Sequence, residues 1–220
     1  MHIDTTSGDI AIQHIDTGTG EVTDWVFRPS FKNLSRIGSP SEIVSVFGVV
    51  HGTEYHGIEK CPIHSFIPDL LGRAHEKTVT AAIHILMSCY EGDDHDGLHK
   101  LLGGYQPNYH GTKMLYMVGK MPPENIIALA RSLLKHGMIG TKKSDGGGDY
   151  VPQWNPAEFI DLARTALKLP LAEAEQLTMT RFQRLIDQAY PDAKKPDRDI
   201  MNKETYMALM RDIEKKKGAK

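Results

Sequence analysis

The sequence predicts a mainly α-helical protein, with an N-terminal β-hairpin packed on a helical domain and a smaller helical C-terminal unit after it. Three observations predict this. Apolar and polar residues alternate only near the N-terminus, around the turn-forming Thr17-Gly18-Thr19-Gly20. From Ser39 onward, capping residues, prolines and acids repeatedly introduce stretches with helical spacing. Gly146-Gly147-Gly148 then breaks the chain between two such helices.

Ile10 to Ile15 and Val22 to Phe27 are the hairpin strands, with Pro29 ending the second. A two-stranded hairpin is marginal alone, so it has to lean on the helices. Ser39-Pro40-Ser41-Glu42 supplies a cap, a proline at the first helical position and an acid three residues after the cap. The helix it opens is expected from Pro40 to about Val50, stopping near Gly52. A longer helix is expected over Arg73 to Tyr90, with Val79, Ala82, Ile83, Leu86 and Tyr90 on one face and Gly92 beyond its end. Glu91 to Tyr109 is polar and rich in Gly, Asp and His, and reads as a loop with at most one helical turn. Met121-Pro122-Pro123-Glu124 starts the next helix, with Ile126, Ile127, Ala130, Leu133 and Leu134 as its buried stripe and Gly137 as its left-handed stop.

Beyond the glycines, Asn155-Pro156-Ala157-Glu158 repeats the cap, proline and acid pattern. The helix from Pro156 to Lys168 is expected to bury Phe159, Ile160, Ala163 and Leu167. A short helix follows from Leu171 to Gln176. Thr178 caps another, burying Phe182, Leu185, Ile186 and Ala189. The expected layout is an N-terminal domain over 1–143, a Gly-rich linker at 144–149, a helical C-terminal unit over 150–192, and a charged spacer with an amphipathic helix over 193–220.

Composition narrows the function. The 220 residues carry a formal charge of −2, which offers no electrostatic footprint for nucleic acid or anionic membrane. The longest apolar stretches, Ile43 to Val50 and Ala81 to Cys89, fall far short of the roughly 20 residues of a membrane span. Two cysteines, Cys61 and Cys89, are too few for a disulfide framework and fit a reducing cytoplasm. The polar start, with Asp4 and Asp9, does not read as a signal peptide, so an intracellular protein is expected.

The chain has eleven histidines, so clusters of metal-ligating type arise readily. The strongest is His51, His56, Cys61 and His64, four zinc-type ligands within fourteen residues. The compact Cys-x2-Cys knuckle is missing, and solvated histidines with Cys61 packed as a small hydrophobe explain the pattern better. A second cluster, Asp93, Asp94, His95, Asp96 and His99, reads as a solvated acidic loop and lacks EF-hand spacing. No metal and no cofactor is expected.

Nor does a nucleophile motif occur: there is no Gly-x-Ser-x-Gly, His-Glu-x-x-His, Walker loop or Gly-x-Gly-x-x-Gly after a strand. Cys89 lies beside a predicted buried stripe, where an inert thiol is expected. A non-catalytic protein follows. Met114, Met117 and Met121 sit in a moderately apolar stretch, and Met201, Met207 and Met210 in the C-terminal segment. There Tyr206, Leu209, Met210 and Ile213 share one face and form the candidate partner-binding element. The alternative is that this helix folds back on its own core.

Two passages carry a family resemblance. One is Val151-Pro152-Gln153-Trp154, an amphipathic helix, then Leu169-Pro170-Leu171-Ala172-Glu173-Ala174-Glu175-Gln176-Leu177-Thr178 leading into Met179-Thr180-Arg181-Phe182-Gln183-Arg184-Leu185-Ile186. The other runs from Met121-Pro122-Pro123-Glu124 to His136-Gly137-Met138-Ile139-Gly140. Together they resemble the small cytoplasmic tail-assembly chaperones of long-tailed bacteriophages. The resemblance implies a factor that binds the tape-measure protein, keeps its apolar helices soluble, helps recruit tail-tube subunits in the host cytoplasm, and departs before the virion is complete. It leaves a homo-oligomer open. The alternatives are a structural virion component, such as a connector or tail-completion protein, and a small zinc-stabilised regulatory module.

Overall fold

A computed structural model describes residues 2–4, 7–15, 20, 22–52, 67–112, 114–141 and 152–191. Strands β1 (His2–Ile3), β2 (Ile10–Ile15) and β3 (Val22–Phe27) form an antiparallel sheet in the order β1-β2-β3. Helices α1 (Phe31–Leu34), α2 (Pro40–His51), α3 (Ile67–Cys89) and α4 (His95–Leu102) follow. A second hairpin, β4 (Gly103–Pro107) and β5 (Met114–Val118), precedes α5 (Pro123–Leu134). Helices α6 (Pro156–Ala166), α7 (Leu171–Glu175) and α8 (Met179–Ala189) complete the described fold. The molecule is mainly α with an N-terminal β-hairpin, as its sequence predicts. No described helix is long and apolar enough to cross a membrane.

The chain forms two compact units, and neither is continuous in sequence. The first comprises residues 1–3, 9–28 and 45–134. Its hairpin is in register, Ile10 opposite Phe27 and Ile12 opposite Trp25. Along β3 the side chains alternate, so Trp25 and Phe27 are buried while Val22, Asp24 and Val26 face out. The hairpin rests on the end of α3. Arg28 N donates to Cys89 O at 2.8 Å, Glu91 N donates to Val26 O at 3.0 Å, and the Trp25 and Phe27 rings each lie 5.8 Å from the Tyr90 ring. Helices α3 and α5 form the main helix pair.

Of the described residues, the second unit comprises 4, 7–8, 29–44, 135–141 and 152–191. Its centre is Phe31, fully buried, with ring centroids 5.5 Å from Phe159, 5.9 Å from Phe182 and 6.3 Å from Trp154. Phe31 N donates to Leu177 O at 2.9 Å, and Trp154 N donates to Pro40 O at 3.1 Å. The segment at 29–44 therefore shares its core with α6 and α8. A linear division between residues 143 and 150 does not describe how these contacts cluster. Apolar burial of four aromatic rings outweighs nearness in sequence. The Gly-rich linker at 144–149 and the spacer and helix at 193–220 lie outside the described residues.

Several elements differ from expectation. Glu91 to Tyr109 is no loop: it contains α4 and β4. Asp94 caps α4 by accepting from Gly97 N at 2.8 Å, and Leu98, Leu101 and Leu102 give the helix a buried stripe inside polar composition. Gly137 does not stop α5. The helix runs into a π turn at Lys135–Ile139, and the left-handed stop is Gly140, at φ +87°. Gly137 instead fills a tight place, since a Cβ there would lie 2.6 Å from Leu34 Cδ1. In α6 the buried stripe is Phe159, Leu162, Ala163 and Ala166, so Ile160 and Leu167 are only half-buried, and the helix ends at Ala166. In α8, Phe182 and Ile186 are buried as expected, whereas Leu185 is half-buried and Ala189 is exposed.

Candidate protein-binding surface

Met114-Leu115-Tyr116-Met117-Val118 is a five-residue apolar run between Gly111 and Gly119. Such a run is short for a helix and suits a strand. As β5 it pairs antiparallel with β4, Tyr116 opposite Tyr105 and Val118 opposite Gly103. The turn between the strands is built on Asn108, which accepts from Gly111 N at its carbonyl (2.8 Å) and from Thr112 N at its side chain (2.9 Å). Gly111 takes φ +67°, and Tyr109 stands at the tip, 99% exposed.

Within this unit β4 touches α3 and α4, whereas the contacts of β5 run chiefly to β4. β5 is thus the outer strand of a two-stranded sheet among the described residues. Leu115 and Met117 are each 51% exposed, and Val118 is 76% exposed. Tyr116 is half-buried, and that burial holds its phenol pKa above the usual value. Single exposed leucines occur elsewhere, Leu71 and Leu171 at 49% each, but β5 places three exposed apolar side chains within four residues of one strand. This grouping makes β5 the candidate interaction surface of the described residues. Sequence reasoning singles out the methionines of this stretch but not the strand; the signal available is the uncharged run from Met114 to Val118, between Lys113 and Gly119.

Of the proposed zinc ligands, only His51 lies among the described residues; His56, Cys61 and His64 lie outside them. His51 Nδ1 donates to Phe47 O at 3.0 Å, and its ring stacks on Phe47 at 4.1 Å. Burial lowers its pKa, and the nearby Arg131 charge lowers it further against the opposing pull of that hydrogen bond. Among the described residues no group of three or more His, Cys, Asp or Glu is placed to hold a metal ion. In the acidic cluster Asp94 is a helix cap, His95 packs edge-on against Tyr90 at 5.7 Å, and Asp93, Asp96 and His99 are exposed. Cys89 is a fully buried thiol. Tyr206, Leu209, Met210 and Ile213 lie outside the described residues.

Two other features carry polar side chains in or beside the fold's interior. An open groove of about 470 Å³ in the first unit has a floor of Val46, Val49 and Ala81 and a rim mixing Arg73, Glu76 and Lys77. Its charges are of both signs and it is lined by no convergent set of one ligand type. In the second unit, His136 is buried in the π turn. Thr180 Oγ1 lies 3.3 Å from His136 O and 3.0 Å from His136 Nδ1, within hydrogen-bond reach of both. Gln183 Nε2 donates to Ile139 O at 2.7 Å. These bonds fasten α8 to the turn and satisfy carbonyls that the π geometry frees.

Residues 27–206 match the family described as a family of unknown function, DUF6246. No curated protein matches the chain, and no solved structure matches it.

Proposed function

Because the chain belongs to the DUF6246 family, whose description assigns no activity, we propose a function read from its own surface: a non-catalytic assembly factor that binds other proteins through β5. The observation that carries this reading is the exposure of Leu115, Met117 and Val118 on an outer strand. Covering the exposed part of each would contribute about 1 kcal/mol, at about 25 cal/mol per Å² of apolar surface. Three such side chains amount to about a hundredfold in affinity. A strand edge adds backbone donors and acceptors that give a partner strand its register.

The finer reading rests on the resemblance of the middle and C-terminal passages to phage tail-assembly chaperones. On that reading the partners are the tape-measure protein and the tail-tube protein, and the work takes place in the host cytoplasm. The exposed apolar side chains of β5 would cover apolar surface that the client shows before assembly. Co-expression tests it: the tape-measure protein of the same gene cluster should move from the insoluble to the soluble fraction when this chain is present. Unchanged solubility would count against the reading. The second reading, a structural virion component, is separated by purified particles, which would contain the protein only if it is part of the virion.

A further inference from the structure

We propose that Met117 is an oxidation site: its thioether takes oxygen from a peroxide ahead of Met87, Met121, Met138 and Met179, and the sulfoxide turns the apolar surface of β5 polar. The consequence for binding rests on reading β5 as a protein-binding surface, whereas the site rests on exposure and strand register.

Methionine oxidises where its sulfur meets solvent. Met117 is 51% exposed, whereas Met138 and Met179 are buried, and Met87 and Met121 are half-buried. The register of the hairpin explains the difference. Met117 lies opposite Gly104 of β4, so its cross-strand neighbour brings no side chain to cover it. The space beside Gly104 is also open, since a Cβ there would meet no atom within 4 Å. Leu115, two residues along on the same face, is itself half in water. A small oxidant therefore reaches this thioether far more easily than a core methionine.

The chemistry needs one reagent, hydrogen peroxide. The Met117 Sδ lone pair attacks one peroxide oxygen, so an S–O bond forms and the O–O bond breaks. Sulfur gives up two electrons. The departing hydroxide takes the proton from the transferred oxygen and leaves as water. A methionine sulfoxide reductase supplied with a thiol reductant returns the thioether. The sulfoxide is polar where the thioether is apolar and adaptable. Covering it with apolar client surface costs desolvation that the thioether does not incur. The fold is spared, because Met117 is already half in water. The same oxidation at Met138 or Met179 would put an unpaired oxygen in a core.

The test treats the full chain with dilute hydrogen peroxide and follows each methionine by peptide mass spectrometry. Met117 should oxidise ahead of Met87 and Met121, and about tenfold or more faster than Met138 and Met179. Its oxidation should leave the melting temperature close to that of the parent. Oxidation of Met117 no faster than of these four overturns the site. Treated protein should capture the tape-measure protein, the client proposed above, about tenfold less well, and the reductase should restore capture. Met117→Gln should show the weakened capture without peroxide, and Met117→Leu should keep full capture after it. Loss of capture by peroxide-treated Met117→Leu places the effect at another methionine and overturns the role of Met117. If Leu115→Glu weakens capture while the sulfoxide does not, the functional reading survives and this inference fails. If Met117 oxidises first but capture ignores both changes, the oxidation site stands and the functional reading fails.

Discussion

Gly103 and Gly119 meet at the base of the second hairpin with no room for a side chain on either. A Cβ on Gly103 would lie 2.5 Å from Gly119 N and 3.2 Å from its Cα, and one on Gly119 would run into Gly103 N and Leu101 O. Gly103 also takes φ +76°, the left-handed region. This contact sets where β5 leaves the body of its unit. Gly103→Ala should cost about 2–4 kcal/mol, combining left-handed strain with overpacking, and should weaken the binding proposed for β5. Gly111→Ala, at φ +67° in open space at the turn, should cost only about 1 kcal/mol. Chemical denaturation of both variants checks the difference.

The two half-buried to buried histidines set a pH dependence. Burial holds His136 below its ordinary pKa, with Lys135 adding to the shift and Asp4 opposing it; His51 is lowered chiefly by burial as well. In the unfolded chain both titrate near about 6.5. Between that value and the lower native pKa the unfolded state binds more protons, so stability falls as pH drops below about 6.5 and is unaffected by these groups above it. His136→Gln should flatten part of the decline between about pH 6.5 and 5. Melting temperature against pH for parent and variant reads this directly.

Phe31 belongs with residues more than a hundred positions away. Phe31→Ala should cost about 3–5 kcal/mol and should loosen the second unit, because its ring contacts Trp154, Phe159 and Phe182. Trp154 fluorescence, followed with Trp25→Phe so that one tryptophan remains, should report that loosening at lower denaturant than in the parent.

With no zinc held by His51, His56, Cys61 and His64, Cys61→Ser should change stability by no more than about 0.5 kcal/mol. A structural zinc site would make the same substitution severe. Denaturation of protein purified without added zinc, with metal analysis alongside, decides between them.

Much of the fold was legible where local rules and tertiary packing agree. The first hairpin follows from alternation around Thr17 to Gly20, and α2, α6 and α8 from Ser39, Asn155 and Thr178 with the apolar spacing that follows each. The middle was not legible, because composition misleads there. Asp93 to Asp96 looks like a solvated loop, yet Asp94 is a cap and the three leucines of α4 lie beyond it. The end of α5 was misread for a different reason: a π turn adds residues that a 3.6-residue period does not count, moving the stop from Gly137 to Gly140. The grouping of Phe31 with Trp154, Phe159 and Phe182 leaves no local trace at all. As for the binding surface, a five-residue apolar run reads equally as core or as edge, and only exposure distinguishes them.

The central claim is that β5 is a protein-binding surface. It is tested most directly by comparing capture of the tape-measure protein, the client proposed above, by the parent chain and by Leu115→Glu, at matched concentration and confirmed folding. A charge placed in an apolar interface should weaken capture by about a hundredfold or more, with the melting temperature nearly unchanged because Leu115 is already half in water. Equal capture by both chains would contradict the claim and move the binding surface away from β5.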